Sequence, residues 1–242
     1  MGVNMKKAII IGSSSGIGMQ LAQVMSKDGF VLGLTGRRIE LLDSLKAQLP
    51  TQAYTKHMDI TNTNASIDCL NSLIDEMGGV DLIIVSAGTG YVNKNLEWKL
   101  EQETINTNVL GVTAIIDTSI RYFLNKKSGH LAAISSVASL RGSAECPSYN
   151  ASKAYLSNYL EGIRCKIKKQ NLDIAITDIK PGLVDTAMAK GDGLFWIMPL
   201  EKVAAQIYTA LKKRKDQVYV TKRWAFLGFF LKNLPRALYY KI

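Results

Sequence analysis

The sequence predicts an α/β fold: a single doubly wound domain on a seven-stranded, mostly parallel sheet with helices on both faces. Three observations carry this. Short apolar runs alternate with helix-period segments, the pattern of a parallel sheet covered on both sides. The first run leads at once into a glycine-rich turn and then an amphipathic segment. No repeat, low-complexity tract or linker interrupts the 242 residues, so one domain is expected.

Each element follows from its residues. Residues 8–11 are all apolar, as a strand buried on both faces must be. Residues 16–27 form a helix with Ile17, Leu21, Val24 and Met25 on one side. A second strand covers 31–35. The helix at 38–49 is stopped by Pro50. A weaker third strand spans 53–58, and a helix at 63–77 closes at Gly78-Gly79. The fourth strand is 81–86. Residues 97–124 are long and helical, read as two helices. A fifth strand at 131–135, a long helix at 147–169, a sixth strand at 174–179 and a short seventh at 218–220 complete the domain.

Composition narrows the function classes. The hydrophobic fraction of 47% and charged fraction of 21% are those of a globular protein. Cys69, Cys146 and Cys165 are too few and too scattered for a disulfide framework or a metal site, so a cytoplasmic setting and no metal are expected. Cys146, three residues before Tyr149, is placed to border the active site, but the favoured reading is a small buried apolar side chain. Lys6 and Lys7 precede an apolar run that Gly12 cuts too short for a signal peptide. The net charge of +10 is concentrated at the end: residues 212–242 hold nine basic residues and one acid, Asp216. No nucleic-acid module accompanies that charge, so no nucleic-acid partner is expected.

The first strand runs into Gly12-Ser13-Ser14-Ser15-Gly16-Ile17-Gly18 and then a helix. Glycines allow a tight turn and a close backbone approach to a pyrophosphate, and the helix N-terminus adds partial positive charge. This points to a dinucleotide-binding Rossmann fold with Gly12, Ser14, Ser15, Gly16, Ile17 and Gly18 at the cofactor. The second strand ends at Thr35-Gly36-Arg37-Arg38. NAD binders usually carry an acid there; Gly36 leaves room, and Arg37 or Arg38 can pair with a 2′-phosphate. NADP(H) is therefore expected in preference to NAD(H). Asp59, followed by Ile60, lies where an acceptor for the adenine amino group is needed.

Tyr149 and Lys153 stand four apart on one predicted helix and face the same way. A phenol of pKa ~10 is a poor acid/base at neutral pH unless a nearby ammonium favours its anion. So tuned, Tyr149 can exchange a proton with substrate oxygen. Ser136 stands thirteen residues before Tyr149, just past the fifth strand, with Ser135 as the adjacent alternative.

At these residues the chain resembles the compact short-chain dehydrogenase/reductase family. The matching motifs run from Gly12 to Thr186: the glycine turn, Asp59, Ala87-Gly88, Asn108, Ser136, Tyr149, Lys153 and Pro181-Gly182-Leu183-Val184-Asp185-Thr186. The resemblance implies hydride transfer between a nicotinamide and a carbonyl or alcohol. It implies that Ser136 steadies the substrate oxygen and Tyr149 is the acid/base. Lys153 would bind the nicotinamide ribose and lower the Tyr149 pKa, while Asn108, rather than Asn106, would hold a relay water. Ala87, Gly88, Pro181, Gly182, Val184 and Thr186 would border the cofactor, the last two at its carboxamide. A homodimer or homotetramer is implied too. Two positions depart from the family: Ile11 replaces a threonine, and Val85-Ser86-Ala87-Gly88 replaces Asn-Asn-Ala-Gly.

The domain is assigned to 1–221, with a substrate lid at 187–200 holding Met188, Phe195, Trp196, Ile197 and Met198 between glycine hinges. That apolar lid suits an apolar substrate, and packing of the same residues in the core or against another subunit stays open beside it. The tail, 222–242, is a basic, aromatic helical segment. Three readings of it stay open: peripheral contact with a membrane, a helix over the substrate pocket, or a subunit interface. Two rival functions also stay open, an idle NADPH-binding regulator and an epimerase-like enzyme. The glycine spacing G-x-x-x-G-x-G speaks against the second.

Overall fold

The computed structural model describes residues 6–186 and 196–240. Residues 187–195, most of the expected lid, lie outside the described part, with Met188 and Phe195 among them.

Seven strands form one sheet: β1 (Lys7–Ile11), β2 (Val31–Gly36), β3 (Ala53–His57), β4 (Leu82–Val85), β5 (Ser128–Ile134), β6 (Asp173–Pro181) and β7 (Gln217–Val220). Their order is β3-β2-β1-β4-β5-β6-β7. Every pairing is parallel, for example Ile11 against Thr35 on one side and Val85 on the other. The order reverses between β1 and β4, and a doubly wound sheet opens a crevice at that point, outside the carboxyl ends of its strands.

Alternation along the strands separates two cores. Ile9 and Ile11 of β1 face α3 (Thr63–Glu76), α5 (Val112–Lys126) and α6 (Pro147–Lys169), through Leu73, Ile116, Phe123 and Leu160. Ala8 and Ile10 face α1 (Gly16–Lys27), α2 (Ile39–Gln48) and α7 (Leu200–Lys212), through Leu21, Met25, Leu42, Val203 and Ile207. Burial on both faces explains why β1 is apolar from Ala8 to Ile11.

The long helical stretch at 97–124 divides as expected, but around a feature of its own. α4 (Trp98–Ile105) passes into a π-helical turn, Asn106–Gly111, before α5 begins. A π turn inserts one extra residue and redirects the side chains on it; here it turns Asn108 inward, where it is buried. Gly111 permits this packing, since a Cβ there would lie 2.4 Å from the Ile60 carbonyl oxygen.

Past β6 the sequence reading missed α7. The tail forms α8 (Lys222–Asn233) and α9 (Arg236–Tyr239).

Candidate active site

The turn after β1 is held tightly from behind. The Gly12 and Ser13 amides both donate to the Thr35 carbonyl, at 3.0 and 2.9 Å. Gly12 has φ +85°, and a Cβ on it would lie 2.6 Å from the Ala87 nitrogen. A Cβ on Gly18 would lie 2.1 Å from the Gly12 carbonyl oxygen. Only glycine fits either position. The Ser15 side chain does not cap the start of α1, which leaves its first amides free of that bond and able to take another acceptor. This cradle can take a pyrophosphate.

Beside it, Arg38 lays its guanidinium on the loop, donating to Ser14 Oγ at 3.0 Å and Ser15 Oγ at 2.7 Å. A Cβ on Gly36 would come within 3.3 Å of Ser14 Oγ, so the strand end stays open. Asp59 follows β3 as expected. Burial works against its charge, but two hydrogen bonds from Thr61 and the charges of Arg37 and His57 hold its pKa below the usual value. It therefore stays an acceptor at neutral pH.

The helix α6 delivers Tyr149 and Lys153. Pro147 opens it in the first turn, where a missing N–H does no harm. The Tyr149 side chain stands beside Ser136 in one cleft, and Gly90 lies flat against its ring, where a Cβ would come within 2.5 Å of Cδ2. Ser136 itself caps a short 3₁₀ turn, Val137–Leu140, by accepting from the Ala138 amide at 3.1 Å, and it donates to the Pro181 carbonyl at 3.4 Å. Ser135 points elsewhere, donating to Asp178 and to the Ile179 carbonyl.

Lys153 is buried. Its Nζ donates to the Ile134 carbonyl at 2.9 Å and lies 5.7 Å from the Tyr149 ring centre. Burial lowers its pKa to about 8 against the attraction of Asp178, which pulls upward. Tyr149 departs from the sequence reading here. Its pKa is raised, not lowered, because burial outweighs the opposing effect of Ser136 beside it. Asn108 also differs in detail from its implied role. Its Oδ1 accepts from the Thr89 amide at 2.8 Å, and its Nδ2 donates to the Thr89 carbonyl and Ser152 Oγ at 2.7 and 3.0 Å. The side chain braces α6 against the loop after β4.

These groups share one cleft of about 1240 Å³. Its lining includes Gly12, Ser14, Ser15, Gly16, Ile17, Arg37, Arg38, Asp59, Ile60, Ala87, Gly88, Ser136, Tyr149, Lys153, Pro181, Gly182, Val184 and Thr186. Gly18 and Asn108 stand one layer behind. Sequence reasoning did not single out Trp224, Leu231 and Tyr239, which line the cleft from α8 and α9. Trp224 covers Gly182 so closely that a Cβ there would lie 2.1 Å from the indole. The inner side of α8 thus packs against the cleft. At the expected lid, Met198 and Val184 form a bridge that ties together the two sides of 187–195.

The family model for short chain dehydrogenase matches residues 6–193. An uncharacterized oxidoreductase of Myxococcus xanthus (strain DK1622) is 32% identical over 188 residues, covering 76% of this chain and 74% of that protein. One from Mycobacterium tuberculosis (strain CDC 1551 / Oshkosh) is 33% identical over 196 residues, covering 77% and 76%. Among solved structures, a short-chain dehydrogenase from Streptomyces avermitilis superposes with a TM-score of 0.85 at 23% identity, covering 98% of this chain and 96% of that one. An alcohol dehydrogenase from Thermococcus sibiricus, complexed with 5-hydroxy-NADP, gives 0.80 at 21% identity, with 90% and 96% covered.

Proposed function

The chain belongs to the short-chain dehydrogenase family of oxidoreductases, and from that premise we propose that it transfers a hydride between NADP(H) and an apolar carbonyl or alcohol, with Tyr149 as the acid/base. The observation that carries this is the meeting of Tyr149 with Ser136 and Lys153 in the cleft that the glycine cradle opens into.

In the reductive direction, NADPH held in this cleft would supply a hydride for the carbonyl carbon. Ser136 donates a hydrogen bond to the carbonyl oxygen and stabilises the charge that develops there. Tyr149 gives that oxygen its phenolic proton, which completes the alcohol. A raised pKa keeps the phenol protonated before the step. The charged Lys153 ammonium beside the ring then favours the phenolate left behind. Asn108 keeps Lys153 in place by bracing α6 at Ser152. Gly12, Gly16 and Gly18 would admit the pyrophosphate. Ser14, Arg37 and Arg38 would hold the 2′-phosphate, and Asp59 the adenine amino group. The remaining cleft wall carries Trp224, Leu231, Tyr91 and Val92, which suits an apolar substrate.

The test is the loss of reduced-nicotinamide absorbance with a panel of aliphatic, aromatic and polycyclic aldehydes and ketones, run with NADPH and with NADH. Turnover of apolar carbonyls with a preference for NADPH is expected. A preference for NADH, or turnover of polar sugars alone, would overturn the assignment.

A further inference from the structure

The helix α8 is apolar on two opposite sides, and among the described residues one of them packs inside the molecule while the other is exposed. Its inner side holds Trp224, Gly228 and Leu231. Trp224 covers Gly182, Gly228 sits where a Cβ would meet Leu140 at 2.8 Å, and Leu231 lines the cleft. On the outer side Phe226, Phe229 and Phe230 are 69, 65 and 52% exposed. They form a cluster, with Phe230 edge-on to Phe226 at 4.7 Å and to Phe229 at 5.9 Å. Leu238 and Tyr240 at α9 are exposed as well, as is Trp196, which lies under Arg223 and against Trp224. A contiguous exposed aromatic patch on a globular domain marks a contact surface.

Charge indicates what makes the contact. Residues 217–242 contain Lys222, Arg223, Lys232, Arg236 and Lys241 and no acid. On a helical wheel Arg223 and Lys232 fall on opposite flanks of the phenylalanine stripe. Pairing with a second copy through this face would set two acid-free basic surfaces against each other. A partner with apolar depth and negative charge at its surface satisfies both features. At twelve residues α8 is about 18 Å long, too short to cross a hydrocarbon core of about 30 Å. Among the described residues no helix is long and apolar enough to span a membrane.

We propose that the outer face of α8, with α9, lies in the surface of an anionic lipid bilayer, its phenylalanines buried among the acyl chains and Arg223, Lys232 and Arg236 among the phosphate headgroups. Trp224 and Leu231, on the opposite side of the same helix, line the cleft, so docking sets the cleft beside the lipid. An apolar substrate would then enter from the bilayer. That consequence rests on the proposed reaction; the docking does not.

The experiment is co-sedimentation of the full chain with vesicles of phosphatidylcholine alone and of phosphatidylcholine mixed with phosphatidylglycerol. It is run at low and high salt, with light scattering for the mass in solution. The wild type is expected to bind the anionic vesicles about ten-fold more tightly than the neutral ones, and to lose that margin in salt. The triple variant Phe226→Ser, Phe229→Ser, Phe230→Ser is expected to lose about ten-fold in vesicle binding with unchanged thermal unfolding, NADPH binding and mass. Equal binding to both vesicles, no binding, or binding untouched by the triple variant would overturn the proposal. So would a fall in oligomeric mass in the triple variant, which would make this face a subunit interface.

Discussion

Lys180 and Asp178, two residues apart on β6, form a 2.8 Å ion pair whose side chains are only 3 and 4% exposed. Residues i and i+2 of a strand share a face, and this face lies directly beneath the candidate active site. Ser135 donates to Asp178, and Lys180 donates to Ser139 and Ser157. The pair thus fastens the end of β5, the turn after Ser136 and the helix carrying Tyr149 to one strand.

Removing one partner of such a pair strands a buried charge. Lys180→Met is expected to lower stability by about 3–5 kcal/mol, and Lys180→Met with Asp178→Leu to recover most of that loss. Denaturant unfolding of the single and double variants checks this. A double variant as unstable as the single one would show that the cost is packing, not charge.

The depressed pKa of Lys153 would set a pH limit on the proposed activity. Below about 8 the ammonium is protonated; as pH rises through that value its charge is lost. The value of kcat/KM for NADPH in the reductive direction reports the free enzyme, so it is expected to fall above about pH 8. Lys153→Arg, which stays charged, is expected to move the falling limb upward. A flat profile through pH 9, or the same limb in both proteins, would remove Lys153 from this role.

Arg38 rests on the two loop serines, so its guanidinium is already aimed at the site assigned to the 2′-phosphate. Arg38→Ala is expected to raise KM for NADPH roughly ten- to hundred-fold, the worth of a lost charge-assisted contact, and to leave KM for NADH nearly unchanged. Arg37→Asp is expected to shift preference toward NADH. Steady-state kinetics with both cofactors decide.

Acid stability turns on His130. Burial, helped by the charge of Arg214, lowers its pKa from 6.5 to about 4, and its Nε2 lies 2.8 Å from Thr177 Oγ1. Between pH 6.5 and 4 the unfolded chain binds a proton that the folded chain does not, so stability falls as pH falls through that window. A shift of this size is worth about 3 kcal/mol. Urea unfolding at pH 7 and at pH 4.5 is expected to show a smaller acid loss in His130→Gln than in the wild type.

The centre of the sheet was readable because β1 and β4 are buried on both faces and therefore apolar there, as at Ile9, Ile10 and Ile11 and at Ile83, Ile84 and Val85. The start of β5 was not: Ser128, Gly129 and His130 are too polar to suggest a strand, and only the distant Thr177 makes His130 tolerable inside. The helix α7 follows the glycine- and proline-punctuated stretch read as a lid, although Val203, Ala204, Ile207, Tyr208 and Leu211 carry the helical spacing. In the tail, aromatic residues occur on both sides of α8, so periodicity could not say that Trp224 turns inward and Phe226 outward. The four-residue spacing brought Tyr149 and Lys153 together correctly, but sequence does not report burial, and burial reverses the direction of the Tyr149 shift.

The most direct test of the proposed chemistry is Tyr149→Phe, which removes one hydroxyl and keeps the ring that packs on Gly90. NADPH binding by fluorescence titration is expected to be unchanged, while NADPH oxidation with the best carbonyl substrate falls by at least about a hundred-fold, the usual worth of a general acid. Turnover equal to that of the wild type would contradict Tyr149 as the proton donor.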